Sequence, residues 1–480
     1  MSAATTPTVR YWYLAFPAMV ILWVLFKCCY PYPDFFTDSY TYIDSARYHN
    51  VISFRPVGYS LFLRLIHGLS HSDTVLVTIQ FLLVQSSCWL LFATVSRRCV
   101  PGAGVQALIT AFLVLNPLVY YISNFVSSDA LFIALSLFWV TSLIQSTEKP
   151  TWWRLIIQWV LLLGIFYLRY VALFYPVVAA ICYCWMRRGW WFRLAAIAGS
   201  VLVVVAGVVY TREQTKAQTG AETFSAFSGW QMANNALHIY PWLPVDTTGL
   251  PRGTESLAGY VDRYFRREGP ALRSHPPGAT TNYMWQESSP LHEYLNEYRR
   301  KESPISYFAA WNRVAPVFSQ YGYFLLRQHP AAFGRYYLLP SSRTFFLSPL
   351  DVLSTYMSDK KEIDQVACDW FGYRKAQPWV YSATLQGRIC APFPWLSLIL
   401  TVAFAVAAGI FLLNREVRGR YPAFTGCMRV AGVYLGVNIC FNVFASPSVY
   451  RYQILPLILL IIFVFCGFSV AAGGRHDELR

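Results

Sequence analysis

Ten apolar stretches, most of them long enough to cross a bilayer as a helix, constrain this chain more than any other feature. A transmembrane helix needs roughly 20 predominantly apolar residues. Only 13% of the 480 residues are charged, whereas soluble domains carry roughly 25%. The pattern predicts an all-α polytopic membrane protein of about ten transmembrane helices. The predicted spans are 12–29, 73–95, 103–122, 129–146, 153–168, 170–186, 192–210, 392–413, 423–444 and 452–470.

One long hydrophilic segment divides the predicted spans into two groups. Helices 1–7 occupy residues 1–210, helices 8–10 occupy 392–480, and the 211–391 loop between them is long enough to form a small domain. Two other segments, 51–69 and 321–346, are apolar but carry arginine and histidine. We expect each of these two segments to be a helix lying in the outer interface, the second restarting at Pro330.

Basic residues fall in alternate loops and predict the orientation of the chain. They are Arg97 and Arg98, Lys149 and Arg154, Arg187 and Arg188, and Arg415 and Arg418. By the positive-inside rule these loops and both termini are cytoplasmic, and the large loop is extracytoplasmic. This distribution accounts for much of the net charge of +15, and no basic tract indicates a nucleic-acid partner. The absence of any Asn-x-Ser/Thr sequence favours the inner (plasma) membrane of a bacterium.

Carboxylates are absent from the centres of the predicted spans but cluster just outside the membrane. Central acids are usual in ion-coupled transporters, so their absence argues against that class. The first outer loop carries Asp34, Asp38 and Asp44, and Asp129 opens the fourth span. The loop acids are either turn-forming residues or functional carboxylates held at the membrane surface. Asp129 is either a helix-capping carboxylate or a partner of the loop acids.

Besides Arg55, three arginines, Arg169, Arg343 and Arg451, oppose the positive-inside bias because they lie at predicted outer positions. Each alone could extend to lipid headgroups, but together they favour an anionic ligand. Asp38 and Asp129 are also suitable ligands for a divalent metal, Mg²⁺ or Mn²⁺. The alternative is that the arginines alone supply the electrostatic stabilisation.

Several short motifs resemble the C-type membrane glycosyltransferases, which have the GT-C fold and include the protein mannosyltransferases and the bacterial aminoarabinose transferase. The motifs are DSYTYIDSAR, RPVGYSLFLRLI, SSDALFIALSLF, LLLGIFYLRYVALFYP, LLRQHPAAFGRYYLLP and SVYRYQILPL. The resemblance covers about the first 210 and the last 160 residues, and 211–320 resembles no family.

The resemblance implies transfer of a hexose or pentose, with inversion, from a polyprenyl-phosphate donor to an extracytoplasmic glycolipid, polysaccharide or protein. It assigns the general base to Asp38 and an acidic role to Asp129. Arg55, Arg169 and Arg451, with Tyr450, correspond to donor-phosphate contacts. Asp38 is followed by Ser39 rather than by the second acid of the mannosyltransferases, so Asp44 and Asp34 stay candidates for the base. A transporter or flippase for a lipid-linked sugar is the alternative function.

Asp38 is the favoured base because no basic residue lies near it in sequence, whereas Asp44 could pair with Arg47 three positions later.

Overall fold

The computed structural model describes residues 7–477 apart from 187, 245, 247, 275–277 and 375–376. Arg187 and the chain ends 1–6 and 478–480, all predicted to be cytoplasmic, lie outside these residues. Within the described chain the regular structure is helical, and the β structure is limited to one isolated bridge between Asp34 and Phe125. In chain order the α-helices are α1 (Pro7–Cys29), α2 (Thr37–Arg47), α3 (Gly58–Leu69), α4 (Asp73–Cys99), α5 (Ala103–Leu115), α6 (Pro117–Asn124), α7 (Asp129–Glu148), α8 (Trp152–Leu168), α9 (Tyr175–Cys184), α10 (Trp190–Thr219), α11 (Ala226–Leu237), α12 (Glu255–Ser274), α13 (Asn282–Trp285), α14 (Pro290–Lys301), α15 (Tyr307–Gln328), α16 (Pro330–Phe333), α17 (Leu339–Phe346), α18 (Gln365–Phe371), α19 (Leu385–Cys390), α20 (Phe393–Leu413), α21 (Arg415–Arg420), α22 (Pro422–Ala445) and α23 (Ile454–Asp477).

The predicted membrane helices are present at the ten expected places in the described chain. Seven helical segments are long and apolar enough to cross a membrane, and three shorter apolar helices accompany them. The prediction of an all-α polytopic membrane protein is therefore confirmed. The third span is divided between α5 and α6 because Pro117 starts a new helix after Asn116. The seventh continues to Thr219, well beyond the predicted end at 210.

The chain forms two compact units. The first comprises residues 1–204, 350–437 and 450–480, and the second comprises 205–349 and 438–449. The predicted loop domain at 211–391 is thus longer than the second unit, because residues 350–391 belong to the first. An acidic and aromatic stretch after the second predicted interfacial helix is therefore part of the same unit as the first loop.

In the first unit, α4 packs against α6 and α7, α7 against α8, and α20 against α23. A buried polar network joins α3, α4 and the end of α6. The Tyr59 hydroxyl donates to Oε1 of Gln80 at 2.7 Å, and the Gln80 side-chain amide donates to the carbonyls of Ser123 and Phe125 at 2.8 and 2.9 Å. A single glutamine on α4 therefore fixes both α3 and the segment that leads into α7.

The helix predicted at 51–69 is shorter than expected. It starts at Gly58, two residues after Pro56, and is amphipathic: Tyr59 and Leu63 are buried whereas Leu61 and Leu65 are exposed. A Cβ on Gly58 would lie 2.5 Å from the carbonyl oxygen of Tyr167. Because that neighbour is backbone, only glycine allows α3 to begin this close to the end of α8.

In the second unit, α11 packs along α15, and α14 contacts both α12 and α15. The indole rings of Trp230 and Trp311 stack at 3.7 Å between centroids and form the centre of this core. A Cβ on Gly229 would lie 2.0 Å from the carbonyl oxygen of Ala315, so glycine sets the close approach of α11 to α15. The predicted helix restart at Pro330 is confirmed by α16.

Candidate functional site

The first loop is held in place by Asp34 rather than forming a free turn. The backbone N–H of Asp34 donates to the Asn124 carbonyl at 2.8 Å, and its carboxylate accepts the Met357 N–H at 2.9 Å. Burial raises the pKa of the Asp34 carboxyl well above its usual range, although the hydrogen bonds from Met357 and Gln386 oppose the shift. Asp34 therefore joins the loop before α2 to the segment before α7 and to residue 357.

Asp38 lies in the first turn of α2, where the helix dipole favours a negative charge. Its Oδ1 accepts a hydrogen bond from Nη2 of Arg55 at 2.6 Å, and its Oδ2 lies 3.6 Å from Nη1 of Arg451. The Asp38 side chain is 12% exposed. The carboxylate that has no basic neighbour in sequence is thus paired with arginines from two distant segments.

Asp129 is the first residue of α7, and its side chain is only 2% exposed. One carboxylate oxygen accepts a hydrogen bond from Arg169, and the other accepts the Ser127 hydroxyl at 2.8 Å and lies 3.5 Å from Nη1 of Arg451. Arg169 follows the last residue of α8, so the two helix ends meet through this pair. Ser127 binds Asp129 locally, although no side-chain hydrogen bond within the described residues caps the start of α7, and Asp129 shares Arg451 with Asp38.

Arg451 connects the two buried carboxylates. Its guanidinium carbon lies 5.0 Å from the ring centroids of both Phe36 and Tyr452, so the cation is held between aromatic faces. Its Nε lies 3.9 Å from Oδ2 of Asp351 and has no hydrogen-bond partner among the described residues. A buried guanidinium with an unsatisfied N–H retains the capacity to bind one more acceptor.

Tyr42 supports the same cluster from α2. Its hydroxyl lies 2.9 Å from the Ser128 hydroxyl. Burial and the nearby Asp38 charge raise the pKa of Tyr42 to about 12, so its hydroxyl stays protonated at neutral pH. Tyr42 thus fixes the spacing between α2 and the start of α7.

The structure does not bring every predicted residue to this cluster. Asp44 is exposed on α2, and Arg47 pairs with Asp369 at 3.0 Å instead of with Asp44. Arg343 lies on α17 in the second unit. The Tyr450 hydroxyl is buried and hydrogen-bonds the Phe393 carbonyl at 2.9 Å and the Ser397 hydroxyl at 2.7 Å.

Sequence reasoning missed three neighbours of Arg451: Asp351, Tyr452 and Phe36. Asp351 is 41% exposed and adopts a left-handed backbone with φ of 54°, a conformation that costs about 1–3 kcal/mol and is enriched at functional sites. In the sequence, Asp351 was recognisable only as an isolated acid five residues after the apolar 321–346 segment. The aromatic pair had a signal as well, since both rings belong to residues within two positions of a charged cluster residue.

A divalent metal between Asp38 and Asp129 would compete with Arg451. Nη1 of Arg451 lies within 3.6 Å of an oxygen of each carboxylate, which is the position that a shared cation would take. No group of three or more His, Cys, Asp or Glu side chains in the described chain is placed to hold a metal ion. The present arrangement therefore fits the guanidinium better than a metal, and the metal stays a prediction.

No protein-family model matches the chain, and no curated protein matches it. The fold is similar to the crystal structure of ArnT from Cupriavidus metallidurans in the apo state, at 12% sequence identity and a TM-score of 0.34. The match covers 92% of this chain and 78% of that one. At this TM-score the two folds superpose too loosely for one site to inform the other.

Proposed function

We propose that this chain is a membrane glycosyltransferase that moves one sugar from a polyprenyl-phosphate donor to a hydroxyl of an extracytoplasmic acceptor. Asp38 acts as the general base, and Arg55, Arg169 and Arg451 bind the donor phosphate. The acceptor is a glycolipid, a polysaccharide or a protein.

The observation that carries the proposal is the buried Arg451 between Asp38 and Asp129. Buried charged groups are costly, and clusters of them occur preferentially at functional sites. Three arginines face two buried carboxylates and the more exposed Asp351, and Nε of Arg451 has no hydrogen-bond partner among the described residues. A phosphate oxygen supplies the missing acceptor, and its negative charge strengthens the hydrogen bond.

In the transfer reaction the carboxylate of Asp38 and the three arginines have different roles. The acceptor oxygen attacks the anomeric carbon and its proton passes to Asp38, while the bond from the anomeric carbon to the phosphate oxygen breaks. The leaving polyprenyl phosphate gains negative charge, which the arginines stabilise. Phosphate is a good leaving group, so no general acid is required.

Donor binding also prepares the base. In the structure without donor, both oxygens of Asp38 are close to arginine nitrogens, at 2.6 and 3.6 Å. A phosphate that draws Arg55 and Arg451 toward itself leaves Asp38 with fewer donors and free to take a proton. The order of events is then donor first and acceptor second, which limits idle hydrolysis or proton transfer.

The test is sugar transfer by purified protein in nanodiscs, with a panel of polyprenyl-phosphate sugars and mass spectrometry of the products. The acceptor class to add to this assay is identified from the glycans and glycolipids of a deletion strain. They are compared with those of the same strain complemented with wild type or with Arg451→Met. We expect a product mass increased by one sugar, lost in Arg451→Met.

The transporter alternative gives a different result in the same membranes. A flippase reorients the donor in proteoliposomes and leaves its sugar attached, so donor reorientation without any cleaved polyprenyl phosphate would reject the transferase assignment. Asp44→Asn serves as the matched control, since Asp44 lies on the same helix but is exposed.

A further inference from the structure

The second unit contains a cleft of about 1190 Å³ between α12, α14 and the segment before α15. Pockets that hold a drug-sized molecule measure roughly 300–1,000 Å³, so this cleft can take an extended ligand. Its lining is Tyr260, Arg263, Glu293, Asn296, Arg299, Arg300, Ser303, Pro304, Ile305 and Ser306. Residues 211–320, which resemble no family, contain all of it.

The charge of the cleft is predominantly positive. It has three arginines and one glutamate, and only Arg300 is paired, with Glu297 at 2.7 Å. Arg263 and Arg299 make no ion pair with any described residue. Nε of Arg299 is buried and has no hydrogen-bond partner within the described chain. Two guanidinium groups are therefore available to an anion from outside.

Aromatic rings preorganise these two arginines. The guanidinium carbon of Arg263 lies 5.3 Å from the ring centroid of Tyr260, and that of Arg299 lies 5.3 Å from the ring centroid of Tyr307. A ring beneath a guanidinium restricts its orientation and leaves its N–H edge free to bind a carboxylate or phosphate in a bidentate manner. The pairs come from different helices, α12 and the α14–α15 region, so one ligand can meet both.

The remaining lining favours a saccharide over a peptide. Only Pro304 and Ile305 are aliphatic, whereas peptide sites rely on apolar pockets or on an exposed sheet edge. The described part of the second unit has no strand to offer such an edge. Asn296, Ser303 and Ser306 instead present amide and hydroxyl groups suited to sugar hydroxyls.

We propose that this cleft binds an acidic saccharide, with Arg263 and Arg299 holding its carboxylate or phosphate group. Combined with the proposed function, this binding identifies the ligand as an anionic portion of the glycan acceptor. That identification of the ligand rests on the proposed function. The binding itself is independent of the transfer reaction and is tested without it.

The test is isothermal titration calorimetry on the full chain in detergent, with trigalacturonic acid and mannose 6-phosphate as the carboxylate and phosphate probes. We expect at least one of the two probes to bind. Its affinity should fall at least about ten-fold in Arg299→Gln, because each charge-assisted contact contributes about ten-fold to a hundred-fold in affinity. Binding by the double variant Arg263→Gln/Arg299→Gln should be too weak to detect. Neutral maltotriose should bind at least about ten-fold more weakly than the better probe.

Arg327→Gln is the matched control. Arg327 lies in the same unit and stacks on Tyr323 at 4.5 Å, but it is outside the cleft. Three results would overturn the proposal. They are an equal loss of binding in Arg327→Gln, binding by the double variant at wild-type strength, and no binding of either acidic probe. Tighter binding of hexaglutamate than of both saccharides would assign the cleft to an acidic peptide instead. Asp38→Asn should bind the probe normally, so a failure of sugar transfer leaves this result intact.

Discussion

Replacing Asp38 with asparagine should separate donor affinity from turnover. Asparagine is nearly isosteric and its Oδ1 can still accept the hydrogen bond from Arg55, now 2.6 Å from the carboxylate. It cannot accept a proton. Loss of a general base typically reduces the rate about 10²–10⁴-fold, so we expect turnover to fall at least about a hundred-fold.

Donor affinity should stay the same or increase. The arginines stay charged, so the asparagine still accepts a hydrogen bond from a charged donor, but the attraction between opposite charges, worth about 1 kcal/mol, is lost. The substitution therefore weakens the hold of Asp38 on Arg55 and Arg451 by about 1 kcal/mol, which frees them for phosphate and tightens donor binding by up to about five-fold.

Single-turnover sugar transfer and donor titration on the same nanodisc preparation measure the two quantities. Asp44→Asn, which changes an exposed carboxylate of the same helix, should alter neither. Near-normal transfer by Asp38→Asn would refute the assignment of the base, and the exposed Asp351 would be the next carboxylate to test. A ten-fold loss of donor affinity would refute the idea that Asp38 competes with the phosphate for the arginines.

Four further outcomes are expected. Gly58→Ala should lower the free energy of unfolding by about 1–3 kcal/mol because the new Cβ meets backbone, whereas Gly68→Ala in the same helix has open space and should not destabilise; thermal unfolding in detergent compares them. Glu287→Cys should react with a membrane-impermeant maleimide in intact cells, above the background of the native cysteines, and Glu416→Cys only after permeabilisation; the reverse pattern contradicts the predicted orientation. Turnover should survive EDTA, because an arginine takes the place of a shared cation; loss of turnover that Mg²⁺ or Mn²⁺ restores would assign the carboxylates to a metal. The raised pKa of Asp34 means that the folded state binds its proton more tightly than the unfolded state, so its contribution to stability is fully present below about pH 4 and decreases as the pH rises toward the raised value; thermal unfolding of Asp34→Asn should show a flatter pH dependence over that interval.

The membrane helices could be predicted because apolar length is a local property of the sequence. The site was predictable to the extent that charge at helix ends is also local: Asp129 and Arg169 stood out as charges beside apolar runs, and the structure joins them. Pairing was not predictable, since the partners of Asp38 lie 17 positions away at Arg55 and far along the chain at Arg451. Spacing alone suggested the wrong partner for Arg47, whose ion pair is with Asp369.

The division between units was missed for a related physical reason. A hydrophilic segment between two membrane helices looks uniform in composition, and composition cannot show where its residues pack. Residues 350–391 return to the first unit, which brings Asp351 to Arg451 and Met357 to Asp34. The only local sign of that change was an isolated aspartate after an apolar segment.

The order in which the residues of the cluster are synthesised follows from their positions in the chain. Asp129 meets Arg169 after 40 further residues, but Arg451 is 322 residues later. At about 5–20 residues per second, the first partner arrives within roughly 2–8 s and the second only after roughly 16–64 s. Throughout that interval the nascent protein carries the Asp129–Arg169 pair already neutralised, while Asp38 relies on Arg55 alone. The early pairs allow the first helices to enter the bilayer without an isolated charge, and the arginine that joins Asp38 to Asp129 is synthesised only just before the last helix.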